Sequence, residues 1–248
     1  MDLTRLSDKL EVERRKEYRS RGERGDGHMN IRKIGIVGSG HIGGTLGILF
    51  AKAGYDVLLS SRHPDDLKDL VKEAGTRACF GTVDEAVSFG DVIVLSLPLK
   101  AVPELDKKVK DALRGKVVID TSNPYPERDG AIAEDAQQEP GGMGVVVSRL
   151  LPGSRIIRAF NSVYFVDLKK TTNRNGEKIG IPIAGDDEEG IEAAVELTKR
   201  AGLDPVVVGG LKTSKLFDVG APVYATSATA AKIRAVLKLK SATAKRAA

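Results

Sequence analysis

The stretch Ile34-Gly35-Ile36-Val37-Gly38-Ser39-Gly40-His41-Ile42-Gly43 decides the fold of this chain. An apolar run typical of a strand leads into a Gly-x-Gly-x-x-Gly motif, and a helical pattern from Gly44 to Ala53 follows it. In a βαβ unit the first glycine makes the tight turn, the second admits a pyrophosphate, and the third lets the helix pack on the strand. The helix N-terminus adds unpaired N–H groups and a partial positive charge. The stretch therefore predicts a dinucleotide-binding Rossmann unit.

The end of the second strand indicates which dinucleotide is preferred. Asp56–Leu59 has the pattern of a strand, and Ser61 and Arg62 follow it, 18 residues past Gly43. An NAD-specific site usually carries a carboxylate here, which would repel a 2′-phosphate. A hydroxyl and a guanidinium can instead bind that phosphate. We therefore predict NADP(H) as the cofactor, although Asp65–Asp66 make this corner less than uniformly basic.

Composition predicts a protein with one sizeable core. The 248 residues are 41% hydrophobic. No apolar run approaches the roughly 20 residues that span a bilayer. The single cysteine, Cys79, cannot form an intrachain disulfide, and its apolar neighbours predict a buried thiol. The three histidines are too scattered for a metal site. We therefore predict a cytoplasmic protein with no metal and no membrane partner.

The net charge of +5 is concentrated at the two ends of the chain. Residues 1–29 carry eight basic and seven acidic side chains, and residues 219–248 carry six basic and no acidic ones. The middle of the chain, where the core lies, is therefore slightly acidic. Aromatic residues make up only 4%, which offers little for base stacking. We predict no nucleic-acid partner.

Strand and helix patterns alternate from residue 33 onward, which is typical of a parallel sheet covered on both faces. The predicted fold is α/β, a Rossmann-type doubly wound, mainly parallel sheet with a small C-terminal lobe. The predicted segments are a charged N-terminal extension (1–29), a dinucleotide-binding domain (30–150), a smaller α/β lobe (151–240) and a basic tail (241–248).

Three connecting regions have weaker patterns. Residues 100–113 predict one helix, and residues 122–142, rich in proline, glycine and charge, predict an irregular connection. Residues 228–239 predict a final helix. The apolar side chains expected to dock that helix are Ile233, Val236 and Leu237.

Ligands of such a sheet bind beyond the carboxyl ends of its strands. The segments at 96–99, 121–125 and 159–162, which follow predicted strands, are rich in hydroxyls and amides. They contain no Ser–His–Asp set, no paired carboxylates and no lysine in an apolar pocket. Asp120 stands at a strand end, where a turn-capping role is more typical than that of a base. The pattern therefore predicts no catalytic acid or base.

This absence favours hydride transfer between two bound rings, because the cofactor then carries the chemistry and the protein supplies alignment. A dehydrogenase acting on an alcohol would need a proton donor or acceptor. The candidates are Tyr125 and His41, and His41 lies inside the phosphate loop, where contact with phosphate or water is the simpler role.

Six motifs occur in an order and spacing that a known family shares. They are Gly38–Gly43, Ser61–Arg62, Val94–Pro98, Val118–Asp120, Ala159–Val163 and Ala184–Asp187. Over about residues 31–236 the chain resembles the coenzyme F420-dependent NADP reductases. It also looks like the NADPH-binding domain of the STEAP metalloreductases and, more distantly, the N-terminal half of pyrroline-5-carboxylate reductases. Two features depart from the family: Asp66 stands where a basic residue is common, and residues 219–224 differ.

The resemblance implies specific contacts with NADP(H). It places the pyrophosphate at residues 39, 41 and 42, the 2′-phosphate at residues 61–62 and the nicotinamide ribose at residues 96–98, with the carboxamide on the Ala159 backbone. A deazaflavin or flavin would stack on the nicotinamide near residues 123 and 161. The predicted cofactor-binding residues are Gly38, Ser39, Gly40, His41, Ile42, Ser61, Arg62, Ser96, Leu97, Pro98, Asn123, Ala159 and Asn161.

Three functions fit the sequence. The one we predict is hydride transfer between NADPH and a stacked deazaflavin or flavin, as the resemblance to the F420-dependent family implies. The partner would then be a small-molecule redox cofactor. The second is reduction of a small imine or carbonyl, with water or Tyr125 delivering the proton. The third is a non-catalytic NADP-binding sensor. We also predict a homodimer.

Overall fold

The computed structural model, which describes residues 29–170 and 177–239, is built on one eight-stranded sheet. Its strands are β1 (Lys33–Val37), β2 (Asp56–Ser60), β3 (Ala78–Gly81), β4 (Val92–Leu95), β5 (Val117–Asp120), β6 (Arg155–Arg158), β7 (Gly180–Gly185) and β8 (Asp204–Gly209). The strand order is β3-β2-β1-β4-β5-β6-β7-β8. Strands β1 to β6 are mutually parallel, β7 is antiparallel to β6, and β8 is parallel to β7. The predicted doubly wound, mainly parallel α/β fold is confirmed.

Helices connect these strands and cover the sheet. They are α1 (His41–Lys52), α2 (Lys68–Ala74), α3 (Val83–Phe89), α4 (Lys107–Leu113), α5 (Pro126–Asp129), α6 (Ala131–Gln138), α7 (Gly142–Leu150), α8 (Phe165–Lys169), α9 (Glu188–Arg200) and α10 (Ala230–Val236). Short 3-10 turns occupy Pro64–Leu67, Leu99–Ala101 and Leu211–Phe217. None of the helices in the described ranges is long and apolar enough to cross a membrane.

The core forms two layers because side chains alternate across the sheet. In β4, Val92 and Val94 join the apolar cluster that contains Leu46 of α1, whereas Ile93 and Leu95 join the opposite cluster with Val147 of α7. All four side chains of β4 are fully buried. The central strands are apolar throughout because both of their faces are covered.

Because β7 runs antiparallel to β6, the carboxyl ends of the strands lie at two opposite edges of the sheet, the edges that the strand termini form. Strands β1 to β6 end at one edge, and the Ala184–Asp187 turn after β7 lies at the other. Asp187 there is the N-cap of α9 and accepts a hydrogen bond from the Gly190 amide at 2.7 Å, and it also pairs with Arg155 at the start of β6. This turn therefore serves the sheet and α9, away from the edge where the glycine loop lies.

Two connecting regions differ from the prediction. Residues 122–142 were expected to be irregular, but they hold α5 and α6, with Pro126 at the first position of α5 and Gly130 (φ +68°) separating the two helices. Most of their charged side chains lie on exposed faces, whereas Asp129 of α5 is buried and paired with Arg128. Residues 100–113 hold a 3-10 turn and then α4, so the single helix predicted there is wrong.

Two side chains are more exposed than predicted. Cys79 is exposed rather than buried, because β3 is an edge strand of the sheet. Val236 is 43% exposed, so α10 docks mainly through Ile233, which is 2% exposed.

The two-part division at residues 150 and 151 stays a prediction. Strand β6 of the predicted C-terminal lobe pairs in register with β5 of the dinucleotide-binding half, from Val117 opposite Arg155 to Asp120 opposite Arg158. The predicted extension (apart from residue 29) and the basic tail lie outside the described residues.

Candidate functional site

The three glycines of the loop after β1 each have a distinct geometry. Gly38 has φ +94°, a conformation that favours glycine. A methyl group on Gly43 would lie 2.0 Å from the Gly38 carbonyl oxygen, so only glycine lets α1 approach the loop this closely. A methyl group on Gly40 would have nothing within 4 Å. The loop therefore combines a tight turn, close packing and an open side, as a pyrophosphate cradle requires.

Among the described residues, no acceptor pairs with the first amides of α1. Gly40 is the N-cap residue and offers no side-chain cap, and the first turn carries no acidic residue. The first intrahelical bond runs from the Gly44 amide to the Gly40 carbonyl at 2.7 Å. The preceding amides of the first turn are therefore available to an anion, and the helix dipole favours negative charge there.

Two neighbouring segments hold the loop in place. The Ser39 hydroxyl donates to the Ser60 carbonyl at 3.0 Å, and the Ser96 amide donates to the Val37 carbonyl at 2.8 Å. A side-chain methyl of Leu97 lies 2.8 Å from the position of a Cβ on Gly38. The structure therefore brings together the predicted segments at 38–42, 61–62 and 96–98.

The corner after β2 presents an exposed guanidinium beside its two aspartates. Ser60 is fully buried and donates to the Ile36 carbonyl at 2.7 Å, so it belongs to the sheet. The Ser61 oxygen accepts the His63 amide at 3.1 Å and keeps its own proton for a ligand. Arg62 is exposed, and within residues 29–170 and 177–239 no hydrogen bond or ion pair engages it. Asp65 binds Lys68 at 2.9 Å instead.

His41 contacts an aromatic side chain across the mouth of the loop. Its ring stacks on Phe165 with centroids 4.3 Å apart and planes 15° apart. Phe165 begins α8, which thereby lies against the start of α1. His41 itself is exposed, and its predicted contact with the pyrophosphate stays a prediction.

A buried ion-pair cluster lies beyond the carboxyl ends of β5 and β6. Arg158 is fully buried and binds the carboxylates of Asp120 at 2.6 Å and Asp218 at 2.9 Å. Burial raises the pKa of Asp120 against the opposing charge of Arg158. Burial acts to lower the pKa of Arg158, but its two carboxylates outweigh burial and raise it. The cluster thus places one guanidinium between two carboxylates, so each buried charge has an opposite charge beside it.

Asn123 extends this cluster toward two phenols. Its side-chain oxygen accepts from Arg158 at 3.1 Å, and its amide nitrogen donates to the Asn161 carbonyl at 2.9 Å and the Tyr224 hydroxyl at 3.2 Å. The Tyr224 hydroxyl is in turn hydrogen-bonded to that of Tyr125. Burial and the bond to Tyr125 raise the pKa of Tyr224 far above its usual value. A continuous polar chain therefore runs from Arg158 to Tyr125.

Asn161 contributes an unpaired acceptor. The residue is 3% exposed, and its amide nitrogen donates to the Phe217 carbonyl at 3.1 Å. Its side-chain oxygen has no partner among the described residues. An unsatisfied buried polar atom costs about 1–3 kcal/mol, which a ligand N–H would offset. The predicted neighbours Asn123 and Asn161 are thus in contact.

The structure confirms the predicted role of Asp120 and narrows that of Ala159. The Asp120 carboxylate accepts from the amide and hydroxyl of Ser122 at 3.0 and 2.7 Å, which confirms its turn-capping role. Ala159 is fully buried and its N–H already donates to the Asp120 carbonyl at 3.3 Å, so a contact with the carboxamide would have to use its carbonyl.

Three residues of the site were missed by sequence reasoning. They are Arg158, Asp218 and Tyr224. Arg158 had one usable signal, since a cation that follows two apolar residues at the end of a strand needs a buried partner. No local signal marks Asp218 or Tyr224.

The site is rich in orienting groups and poor in free acids and bases. The Asp120 and Asp218 carboxylates are already bound to Arg158. Among the described residues, no three His, Cys, Asp or Glu side chains form a group that could hold a metal ion. The arrangement can bind an anionic dinucleotide at one end and orient a polar ring at the other.

Comparisons with known proteins agree with this geometry. Residues 33–124 match the family model described as NADP oxidoreductase coenzyme F420-dependent. The F420-dependent NADP reductase of Methanocaldococcus jannaschii is 26% identical over 203 residues, which cover 77% of this chain and 90% of that protein. Metalloreductase STEAP3 of Rattus norvegicus is 27% identical over 186 residues, covering 74% of this chain but 35% of the rat protein.

A solved structure supports the fold. A hypothetical protein from Sinorhizobium meliloti superposes with a TM-score of 0.65 at 23% identity, covering 79% of this chain and 94% of the other.

Proposed function

We propose that the chain, whose residues 33–124 match the family model of coenzyme F420-dependent NADP oxidoreductases, transfers a hydride between NADPH and a stacked deazaflavin or flavin ring. The finding that NADP(H) is the family's dinucleotide gives the first half of this proposal. The polar groups that follow β5 and β6 support the second half, the identity of the second ring.

The observation that carries the proposal is the pairing of a phosphate-type loop with a buried polar cluster at one edge. The Thr121 amide donates to the Leu95 carbonyl at 3.0 Å, so the segments after β4 and β5 lie side by side. The loop supplies amides for phosphate, and the cluster supplies amides and phenols for a ring. Hydride transfer between rings needs this alignment and no protein nucleophile.

The residues at the loop end would hold NADPH, which when bound supplies the hydride. The α1 amides and Ser39 would bind the pyrophosphate, and Ser61 and Arg62 the 2′-phosphate, as charge-assisted bonds. Ser96–Pro98 would flank the ribose. The open space at Gly40 fits a close approach of phosphate.

The amides after β5 and β6 would orient the second ring. Deazaflavins and flavins carry imide N–H and carbonyl groups along one edge, which match the acceptor oxygen of Asn161 and the donor groups nearby. A ring held by such an edge could stack on the nicotinamide.

The test is NADPH oxidation measured in parallel with coenzyme F420, FMN, FAD and no acceptor, repeated with NADH. We expect turnover with F420, faster with NADPH than with NADH. Turnover with FMN or FAD alone would keep the hydride transfer and change the acceptor. No turnover with any of these rings, in protein that binds NADPH, would overturn the proposal.

Reduction of a small imine or carbonyl is a second candidate, favoured by the Tyr125–Tyr224 phenol pair, which offers a proton donor. Turnover with a cyclic imine and none with a flavin-type ring would select it. Tight NADPH binding without turnover on either class would select the sensor function. The predicted homodimer is tested by light scattering on the full chain.

A further inference from the structure

We propose that Tyr125 is the proton donor to the group that accepts the hydride, and that Arg158, Asn123 and Tyr224 are positioning residues that fix the direction of its O–H bond. This inference rests on the proposed function for the reaction, hydride transfer from NADPH. It requires only that the acceptor gain a proton on nitrogen or oxygen, which holds for a deazaflavin, a flavin, an imine and a carbonyl.

The orientation of the Asn123 amide is fixed by its partners. Arg158 can only donate, so the atom that faces it must be the Asn123 oxygen. The backbone carbonyl of Asn161 can only accept, so the atom that faces it must be the Asn123 nitrogen. The same nitrogen therefore presents an N–H to the Tyr224 hydroxyl oxygen.

The direction of the bond between the phenols follows from this. The Tyr224 oxygen already accepts from Asn123, and its raised pKa keeps its proton in place. That proton finds an acceptor in the Tyr125 oxygen. In the opposite arrangement the Tyr224 oxygen would take two donors and its own proton would have no acceptor among the described residues. The series of hydrogen bonds from Arg158 thus ends at the Tyr125 hydroxyl, whose proton has no protein acceptor in the described ranges.

Tyr125 lies next to the residues proposed to orient the second ring. It is half-buried, with the Arg128 guanidinium 5.0 Å from the centre of its ring, and it follows Asn123 by two residues. Its hydroxyl is one hydrogen bond from Tyr224, which is itself bonded to Asn123. The buried charges of Asp120 and Asp218 are committed to Arg158, so they do not compete for this proton.

The proposed step balances in atoms and charge. Tyr125 gives its proton to the nitrogen or oxygen that gains an electron pair as the hydride forms a C–H bond on the acceptor. The C–H bond of the reduced nicotinamide breaks in the same process. The Tyr125 phenolate is stabilised by the Tyr224 O–H and takes a proton from solvent. In the reverse reaction Tyr125 would accept the proton.

The experiment compares Tyr125→Phe, Tyr224→Phe and the double variant with Tyr55→Phe. Tyr55 is the matched control, because its hydroxyl also donates a hydrogen bond, to Glu196 at 2.6 Å, but at the opposite edge of the sheet. The readouts are the NADPH Kd by fluorescence titration and the single-turnover rate of NADPH oxidation in H2O and D2O. The acceptors are F420, FMN and a cyclic imine.

We expect Tyr125→Phe to slow single turnover by about 100-fold, the lower range for a general acid. Its NADPH Kd should match that of wild type, and the solvent isotope effect of wild type should be lost. Tyr224→Phe should slow turnover less, and the double variant should match Tyr125→Phe, because Tyr224 acts through Tyr125. Tyr55→Phe should leave the rate unchanged.

The inference would be overturned, and the proposed function left intact, if Tyr125→Phe turned over at the wild-type rate. The same holds if the fold-loss in single-turnover rate of the double variant equalled the product of the fold-losses of the two single variants. Turnover by wild type only with the cyclic imine, abolished in Tyr125→Phe, would overturn the proposed function and support the inference. No turnover with any acceptor would overturn both.

Discussion

At the β1–β4 end of the site the binding groups are backbone amides and open space around Gly40, whereas at the β5–β6 end they are side chains tied to a buried Arg158. The geometry of the first end is set by the backbone conformation, which requires glycine where a Cβ would collide. The geometry of the second end is set by charged side chains that are buried and must pair with one another. A phosphate is recognised by many small dipoles, and a ring edge by a few fixed donors and acceptors.

The two ends therefore respond differently to substitution. Damage at the loop end removes ligand affinity through backbone displacement. Damage at the cluster end leaves buried charge unpaired, which costs folding free energy before any ligand is involved.

The largest effect is expected for Arg158→Leu. It leaves the Asp120 carboxylate fully buried without its cation, and we expect a loss of about 3–5 kcal/mol in the free energy of unfolding. Urea unfolding measures this loss. The control is Arg77→Leu, whose exposed pair with Asp56 should cost about 0–1 kcal/mol. Equal losses in the two variants would remove the energetic distinction between the cluster and the surface.

A smaller effect, confined to binding, is expected for Arg62→Ala. Arg62 is the side chain that would pair with the 2′-phosphate, which NADH lacks, so we expect NADPH binding to weaken by about 1.5–3 kcal/mol with NADH binding unchanged. Titration of both dinucleotides measures the difference, and Arg77→Ala, which removes an exposed guanidinium at the opposite edge, is the control. Equal losses for NADPH and NADH would contradict the 2′-phosphate assignment.

The third effect separates two glycines of the same loop. In Gly43→Ala the new methyl group would meet the Gly38 carbonyl oxygen at 2.0 Å, and we expect a loss of about 1–3 kcal/mol in unfolding free energy. In Gly40→Ala the methyl group enters open space, so the thermal unfolding midpoint should stay within error while NADPH affinity falls. If Gly40→Ala binds NADPH as tightly as wild type, the open side of the loop is not where the cofactor approaches.

The loop end could be predicted from sequence because its parts are close along the chain. The tight turn, the open glycine and the packed glycine all lie within residues 38–43, and the corner at 61–62 is one strand away. Each has a local conformational reason that the residue type reveals. The role of Asp120 was predictable for the same reason, since its partner Ser122 is two residues on.

The cluster end could not be predicted because its partners are distant. Arg158 and Asp218 are 60 residues apart, and Tyr125 and Tyr224 are 99 apart. Their meeting depends on the reversal at β7 and on the path of the segment after β8, which no periodicity encodes. The helices at 126–138 were missed because short helices with charged outer faces have the composition of loops.

The unbroken pairing of β5 with β6 has a consequence for how substrates come and go. Asn123 follows one strand and Asn161 the other, so the two walls that would grip the second ring are joined by a backbone ladder. They cannot rotate about a hinge without breaking that ladder. Exchange of reactants would then be governed by diffusion past surface segments such as α8, which begins at Phe165, and the distance between donor and acceptor carbon atoms would be set when the protein folds rather than at each turnover.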